Sequence, residues 1–187
     1  MKKTLVIMAG GKSSRMKKDK ALLPFGEYNS LAEYQYRRLM PYFDKVYISA
    51  KNNKFNFNIE LIEDCYEDSS PLIALVSIFE TLEVEEVFII SVDAPFVSPT
   101  SIKKIYDKAE ENSSAIIAES SQGLEPLCGI YKRTILTKAK EFLEDDNHRL
   151  QALLNTVETQ SVSIDDTKEF MNLNHPFEYE EAKNRLD

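Results

Sequence analysis

The chain has 187 residues and a net charge of −8, from 31 acidic and 23 basic side chains, with 43% apolar and 29% charged residues. That length suits one domain, residues 1–187, able to bury a substantial core. The acidic surplus argues against a protein that coats nucleic acid by neutralising its phosphates, and no segment approaches the ~20 apolar residues of a membrane span.

In chain order, residues 4–9 form a short apolar run that reads as a buried strand. The run is too short, and its glycine-rich basic continuation too unlike a cleavage site, for a secretory leader, so a cytoplasmic chain is expected. The strand leads into the segment Met8-Ala9-Gly10-Gly11-Lys12-Ser13-Ser14-Arg15-Met16-Lys17-Lys18-Asp19-Lys20-Ala21-Leu22-Leu23. Paired glycines let the backbone turn several N–H groups toward one anion. Arg15 and Lys20 add positive charge, and Ser13 and Ser14 add hydroxyl donors. Residues 1–20 hold seven Lys/Arg against one acid, Asp19, so a small polyanion is attracted here despite the overall charge. The spacing matches neither the Walker loop nor the Rossmann glycine fingerprint.

Beyond this loop, strands are expected at residues 45–50, 60–63, 86–92, 114–119 and 127–132. Helices are expected at 30–42, 72–81, 99–112, 132–144, 149–156 and 176–186. Ser98-Pro99 makes a good helix entry, with serine as N-cap and proline in the first turn. Leu61-Ile62 and Val87-Phe88-Ile89-Ile90 are unbroken apolar clusters, as in strands covered on both faces. The alternation predicts an α/β fold of three layers, a mostly parallel sheet with helices on both sides and right-handed crossovers. Cys65 and Cys128 stand apart from any CxxC or Cys/His cluster and read as reduced thiols. His148 and His175 carry no partner pattern for acid–base or zinc chemistry and read as surface residues.

Four further stretches bear on chemistry. Asp93, in Ser91-Val92-Asp93-Ala94-Pro95, ends a buried strand, where open α/β sheets bind ligands; one carboxylate beside substrate phosphates suits Mg²⁺, whereas a plain turn aspartate before Pro95 is the alternative. Asp64 ends the strand at 60–63, ahead of the Ser70-Pro71-Leu72 helix entry, itself a natural anion site. Glu125-Pro126-Leu127-Cys128-Gly129-Ile130-Tyr131 is a strand with a small Cys-Gly step that a ligand or another backbone can approach. In Asn172-Leu173-Asn174-His175-Pro176, asparagines two apart in an extended segment share a side; a helix cap at Asn174 is the alternative.

Together these residues resemble the nucleotidyltransferases, and most closely the molybdenum cofactor guanylyltransferase (MobA) family. Met8-Ala9-Gly10-Gly11 through Arg15-Met16, then Asp19-Lys20-Ala21-Leu22-Leu23, is similar to that family's signature loop. Asp93-Ala94-Pro95 is similar to its Asp-x-Pro, and Asn172-Leu173-Asn174-His175-Pro176 to its Asn-x-Asn-x-Pro. The resemblance implies a nucleotide-diphospho-sugar-transferase-like, Rossmann-like fold and transfer of GMP from GTP to molybdopterin with Mg²⁺ as cofactor. It implies GTP binding by Met8, Ala9, Gly10, Gly11, Lys20, Asp64 and Asp93, metal binding by Asp93, and molybdopterin binding by Asn172 and Asn174. Arg15, Lys20 and Asp93 are the implied catalytic residues, with Cys128 a small wall residue rather than a nucleophile. Cofactor-insertion chaperones and apo-molybdoenzymes are the implied protein partners, with no nucleic acid or membrane. The loop alone equally fits cytidylyl transfer to the same cofactor or another small-molecule nucleotidyltransferase; a non-catalytic nucleotide or cofactor carrier is a third reading. The chain departs from the family pattern at Lys17, which replaces a glycine, and at Ser70-Pro71-Leu72-Ile73-Ala74, which lacks the usual glycines. Ser49-Ala50-Lys51-Asn52 offers no clear match for the family's asparagine after the second strand.

Overall fold

The computed structural model describes residues 3–10 and 19–186. All five residues of β1 (Thr4–Met8) are buried, because neighbours cover both edges and helices cover both faces. β2 (Lys45–Ala50) and β4 (Glu86–Ser91) flank it in parallel, and β3 (Glu60–Glu63) adds in parallel outside β2. Beyond β4 lie β6 (Gly123–Lys132), β5 (Ala115–Ser120) and β7 (Thr159–Ser163), giving the order β3-β2-β1-β4-β6-β5-β7. β6 runs antiparallel to both its neighbours. It follows β5 after a two-residue connection, and so short a link permits only an antiparallel return. Gly123, at φ +112°, completes the tight turn.

The helices are α1 (Leu31–Leu39), α2 (Pro71–Thr81), α3 (Pro99–Asp107), α4 (Leu136–Glu144), α5 (Leu150–Leu154) and α6 (Pro176–Lys183). Ser30, Ser70 and Ser98 cap the first three, each hydroxyl accepting from the N–H three residues on at 3.0–3.1 Å. Alternate strand residues divide the core. Leu5, Ile7, Ile48, Phe88 and Ile90 pack with α1, α3 and α6. Val6, Met8, Val87 and Ile89 pack with α2, α4 and α5. The expected three layers are therefore present.

Several boundaries differ from the expectation. The helix foreseen over 99–112 stops at Asp107, since its last buried residue is Ile105 and residues 107–112 are exposed, with no apolar stripe to hold them on the sheet. Lys132 belongs to β6, and a 3₁₀ turn, Arg133–Ile135, precedes α4. α5 and α6 are shorter than foreseen. β7 carries no strand signal in the sequence: of Thr159-Gln160-Ser161-Val162-Ser163 only Val162 is buried, and backbone pairing with β5 makes the strand. At Gly129 the close neighbour is backbone, because a Cβ there would lie 2.4 Å from the Ile116 carbonyl oxygen, beside a register shift in β5.

The chain steps from β1 outward to β2 and β3, then returns to place β4 on the other side of β1. That reversal opens a crevice beyond the C-terminal ends of β1 and β4, where Met8 lies opposite Ser91.

Candidate active site

Four elements bring their ends to this crevice. Val92 N–H donates to the Met8 carbonyl at 3.0 Å, the last rung between the two strands, and the chain then turns at Asp93. The Ser91 hydroxyl donates to Asp93 Oδ1 at 2.5 Å. Lys20 Nζ, from the 3₁₀ turn Lys20–Leu22, donates to Asp93 Oδ2 at 2.6 Å and to Asn174 Oδ1 at 3.0 Å. Residues far apart in sequence thus converge on one ammonium. The Lys20 and Asp93 side chains are only 16% and 17% exposed, so water screens the pair weakly.

The basic loop is anchored at both of its described ends. Asp19 Oδ1 accepts from Ala21 N–H at 3.0 Å, while Asp19 Oδ2 accepts from Lys54 Nζ at 2.5 Å. Lys54 also donates to the Ala9 carbonyl at 2.9 Å, so one ammonium ties residue 9 to residue 19. Met8 and Ala9 are buried, and Gly10 is exposed where the crevice opens. Gly11 and Arg15, with Lys12 to Met16, Lys17 and Lys18, lie outside the described residues.

The asparagine segment is held by its neighbours. Leu173 N–H donates to the Asp93 carbonyl at 3.0 Å. Just upstream, the Glu169 carboxylate accepts from Ser98 N–H at 2.9 Å and the Ser101 hydroxyl at 3.0 Å, fastening the segment to the start of α3. Asn174 N–H reaches back to the Asn172 carbonyl at 3.0 Å, so residues 172–174 form a tight γ-type bend rather than the extended segment expected. Asn174 does not cap α6; His175 occupies that position, and Glu178 accepts from both Asn174 and His175 N–H groups at 2.7 Å. Asn172 and Asn174 border a cavity of about 240 Å³ shared with Ser91, Asp93, Glu125 and Cys128. On their other side lies a more open cleft of about 460 Å³ reaching Lys168, Phe177 and Arg185.

Asp64 stands apart from this network, at the end of β3. Its Oδ2 accepts from the Ser69 hydroxyl at 3.4 Å, and its Oδ1 is buried with no hydrogen-bond partner among the described residues. Burial pushes its pKa up, against smaller opposing effects of Ser69 and Lys51. The Ser69 hydroxyl also lies 3.8 Å from where a Cβ on Gly10 would sit, so Asp64 and the glycine loop border the same part of the crevice. Ser70, in the altered Ser-Pro-Leu stretch, caps α2 and lies 3.1 Å from His148 Nδ1, whose Nε2 is 3.2 Å from Asp146 Oδ1. His148 therefore has partners that its sequence context did not suggest. Yet Ser70 Oγ already serves Ile73 N–H and the Asp146 side chain is almost fully exposed, so the line is a brace rather than a hydrolytic triad.

Burial likewise raises the pKa values of Glu125 and Cys128, the latter well above the range in which a thiolate forms at neutral pH. Among the described residues there is no group of three or more metal-ligating side chains. Asp93 does fit a hard cation that keeps water and takes its other oxygens from phosphate, and Lys20 already sets a positive charge against it. The sequence alone does not single out Ser91, Lys54 or Glu169. No spacing rule ties them to the site; a polar residue ending an otherwise apolar strand is the only local sign, at Ser91.

Residues 5–162 match the MobA-like NTP transferase domain. The chain is 38% identical over 183 residues to a protein of Campylobacter jejuni named molybdenum cofactor guanylyltransferase, covering 97% of this chain and 95% of that one. It is 36% identical to a Helicobacter pylori protein of the same name, covering 95% and 90%. Its fold is similar to the crystal structure of molybdopterin-guanine dinucleotide biosynthesis protein A from Archaeoglobus fulgidus, with a TM-score of 0.85, 15% identity and 97% coverage of both chains. The chain belongs to the MobA-like NTP transferase family, and its fold is the nucleotidyltransferase α/β fold.

Proposed function

We propose that this MobA-like nucleotidyltransferase transfers GMP from GTP to the molybdopterin form of the molybdenum cofactor and releases pyrophosphate. The names of relatives at 36–38% identity over nearly the whole chain support the substrates. The observation that carries the residue roles is the meeting of Lys20, Asp93 and Asn174 within 3.0 Å, at the topological switch point.

In this reading the triphosphate docks against Met8, Ala9, Gly10, Gly11, Arg15 and Lys20, and the nucleoside extends toward Asp64. A Mg²⁺ ion held by Asp93 and phosphate oxygens would supply charge neutralisation at the reacting phosphate. The terminal phosphate of molybdopterin, positioned near Asn172 and Asn174, attacks the α-phosphorus of GTP. The new P–O bond forms as the bond to the β-phosphate oxygen breaks, and that electron pair leaves with pyrophosphate. Because the attacking phosphate is already an anion, no side chain need remove a proton. Lys20 and Arg15 offset charge that builds on the departing pyrophosphate. Catalysis is then positioning plus electrostatics. Two free thiols, Cys65 and Cys128, suit the reducing cytoplasm in which this reading places the enzyme.

Pyrophosphate release on mixing the protein with Mg²⁺, GTP and molybdopterin tests the proposal. Release with GTP and far less with CTP is the expected result. Preference for CTP would overturn the guanylyl assignment, and no release with any nucleotide would leave a binding protein in place of an enzyme.

A further inference from the structure

A buried amide lies directly beneath the Asp93 turn. Gln35 sits on the inner face of α1 among Leu31, Ala32 and Leu39, and it is fully buried. Its Nε2 donates to the carbonyls of Ser91 at 3.1 Å, Val92 at 3.4 Å and Ala94 at 3.1 Å. These carbonyls belong to residues on both sides of Asp93, at and just past the end of β4, where regular strand pairing stops; the Ser91 carbonyl also accepts from Ala94 N–H at 3.3 Å. The amide's orientation is unambiguous. Carbonyls can only accept, and on the other side Arg38 Nε, which can only donate, reaches Gln35 Oε1 at 2.7 Å. Arg38 Nη1 then donates to the Val97 carbonyl at 2.8 Å. Burial lowers the Arg38 pKa to about 10, leaving it charged at neutral pH. Two side chains one helical turn apart thus fasten residues 91, 92, 94 and 97 to α1.

We infer that Gln35, oriented by Arg38, is a positioning residue that sets the Asp93 carboxylate for the metal–triphosphate complex. An aliphatic side chain at this helix position would fill the same space but would take away the donor that these carbonyls share. The amide meets the converging carbonyls and thereby fastens the turn from which Asp93 reaches Lys20. The inference rests on the reading of Asp93 as the metal carboxylate.

The test uses Gln35→Met, which keeps length and loses the donor, with Arg38→Met, which leaves Gln35 in place but unoriented, and Asp93→Asn as reference. Mn²⁺ occupancy in the presence of GTP, read by electron paramagnetic resonance, is measured beside the circular dichroism spectrum and the melting curve. Outer partners of a metal-binding group typically change affinity by about ten- to a hundredfold, and weakening of that order is expected for folded Gln35→Met, with a smaller effect for Arg38→Met. Turnover should recover in part at high metal concentration, with the GTP KM at saturating metal unchanged. Mn²⁺ occupancy within twofold of wild type in a folded Gln35→Met would overturn the inference, provided Asp93→Asn abolishes binding. Wild-type binding by Asp93→Asn would instead overturn the metal reading itself. Loss of the fold in both Gln35→Met and Arg38→Met would also refute a positioning role, because the pair would then be holding up the domain.

Discussion

Replacing Lys20 with Met removes the ammonium on which Asp93 and Asn174 converge while keeping much of the side chain's bulk. In the resting protein this deletes one charge-assisted bond at 2.6 Å and one further donor–acceptor contact at 3.0 Å. Hydrogen bonds to charged groups contribute about 1.5–3 kcal/mol each. Asp93 remains 17% exposed and keeps the Ser91 hydroxyl, so water and Ser91 recover part of that. A stability loss of about 1–2 kcal/mol is expected by urea denaturation, below the about 3–5 kcal/mol for breaking a fully buried pair. The catalytic effect should be larger. Removing one preorganised group that meets developing charge costs about 10²–10³ in kcat, or about 2.7–4 kcal/mol. The assay is pyrophosphate release under saturating GTP and Mg²⁺, for Lys20→Met, Asn174→Ala and the double variant. Since both partners meet one ammonium, the two substitutions should be non-additive by about 0.5–3 kcal/mol. A kcat for Lys20→Met within threefold of wild type, or strict additivity, would refute the reasoning.

Burial raises the folded-state pKa of both Asp64 and Glu125. The native chain therefore holds these protons more tightly than the unfolded chain just above the ordinary carboxylate range, and stability falls as pH rises through that interval. In thermal melts at a series of pH values, Asp64→Asn combined with Glu125→Gln should lessen this fall; an unchanged slope would count against the buried-carboxylate account. If Asp64 contacts the nucleoside as proposed, Asp64→Asn alone should raise the GTP KM more than it lowers kcat; an unchanged KM would count against that placement. Gly129→Ala forces a Cβ against the Ile116 carbonyl oxygen at 2.4 Å; strain of this kind costs about 1–3 kcal/mol, visible as a lower denaturation midpoint. Cys128→Ala should keep turnover within severalfold of wild type, since a buried thiol with a raised pKa is no nucleophile; total loss of activity in a folded variant would contradict this.

Much of this protein was legible in the order of its residues. Unbroken apolar clusters such as Val87-Phe88-Ile89-Ile90 announced strands buried on both faces, and serine-proline steps announced helix starts, because these signals act over a few neighbouring residues. The glycine loop, Lys20, Asp93, Asn172 and Asn174 could be picked out by motif. β7 could not, since pairing with β5 rather than its own side chains makes it a strand. Nor could the bend at Asn172–Asn174, which depends on Glu169, Glu178 and the Asp93 carbonyl. Hydrogen bonds between residues 73 or 154 positions apart, as Lys20 makes to Asp93 and Asn174, leave no periodic trace in a sequence. The same holds for Lys54 between Ala9 and Asp19, and for Gln35 beneath residues 91–94. Local residue order dictated which chemical groups this protein carries and which segments become strands and helices. The return of β4 to the side of β1 rests on packing between distant segments, and that packing settled which of those groups meet at the strand ends.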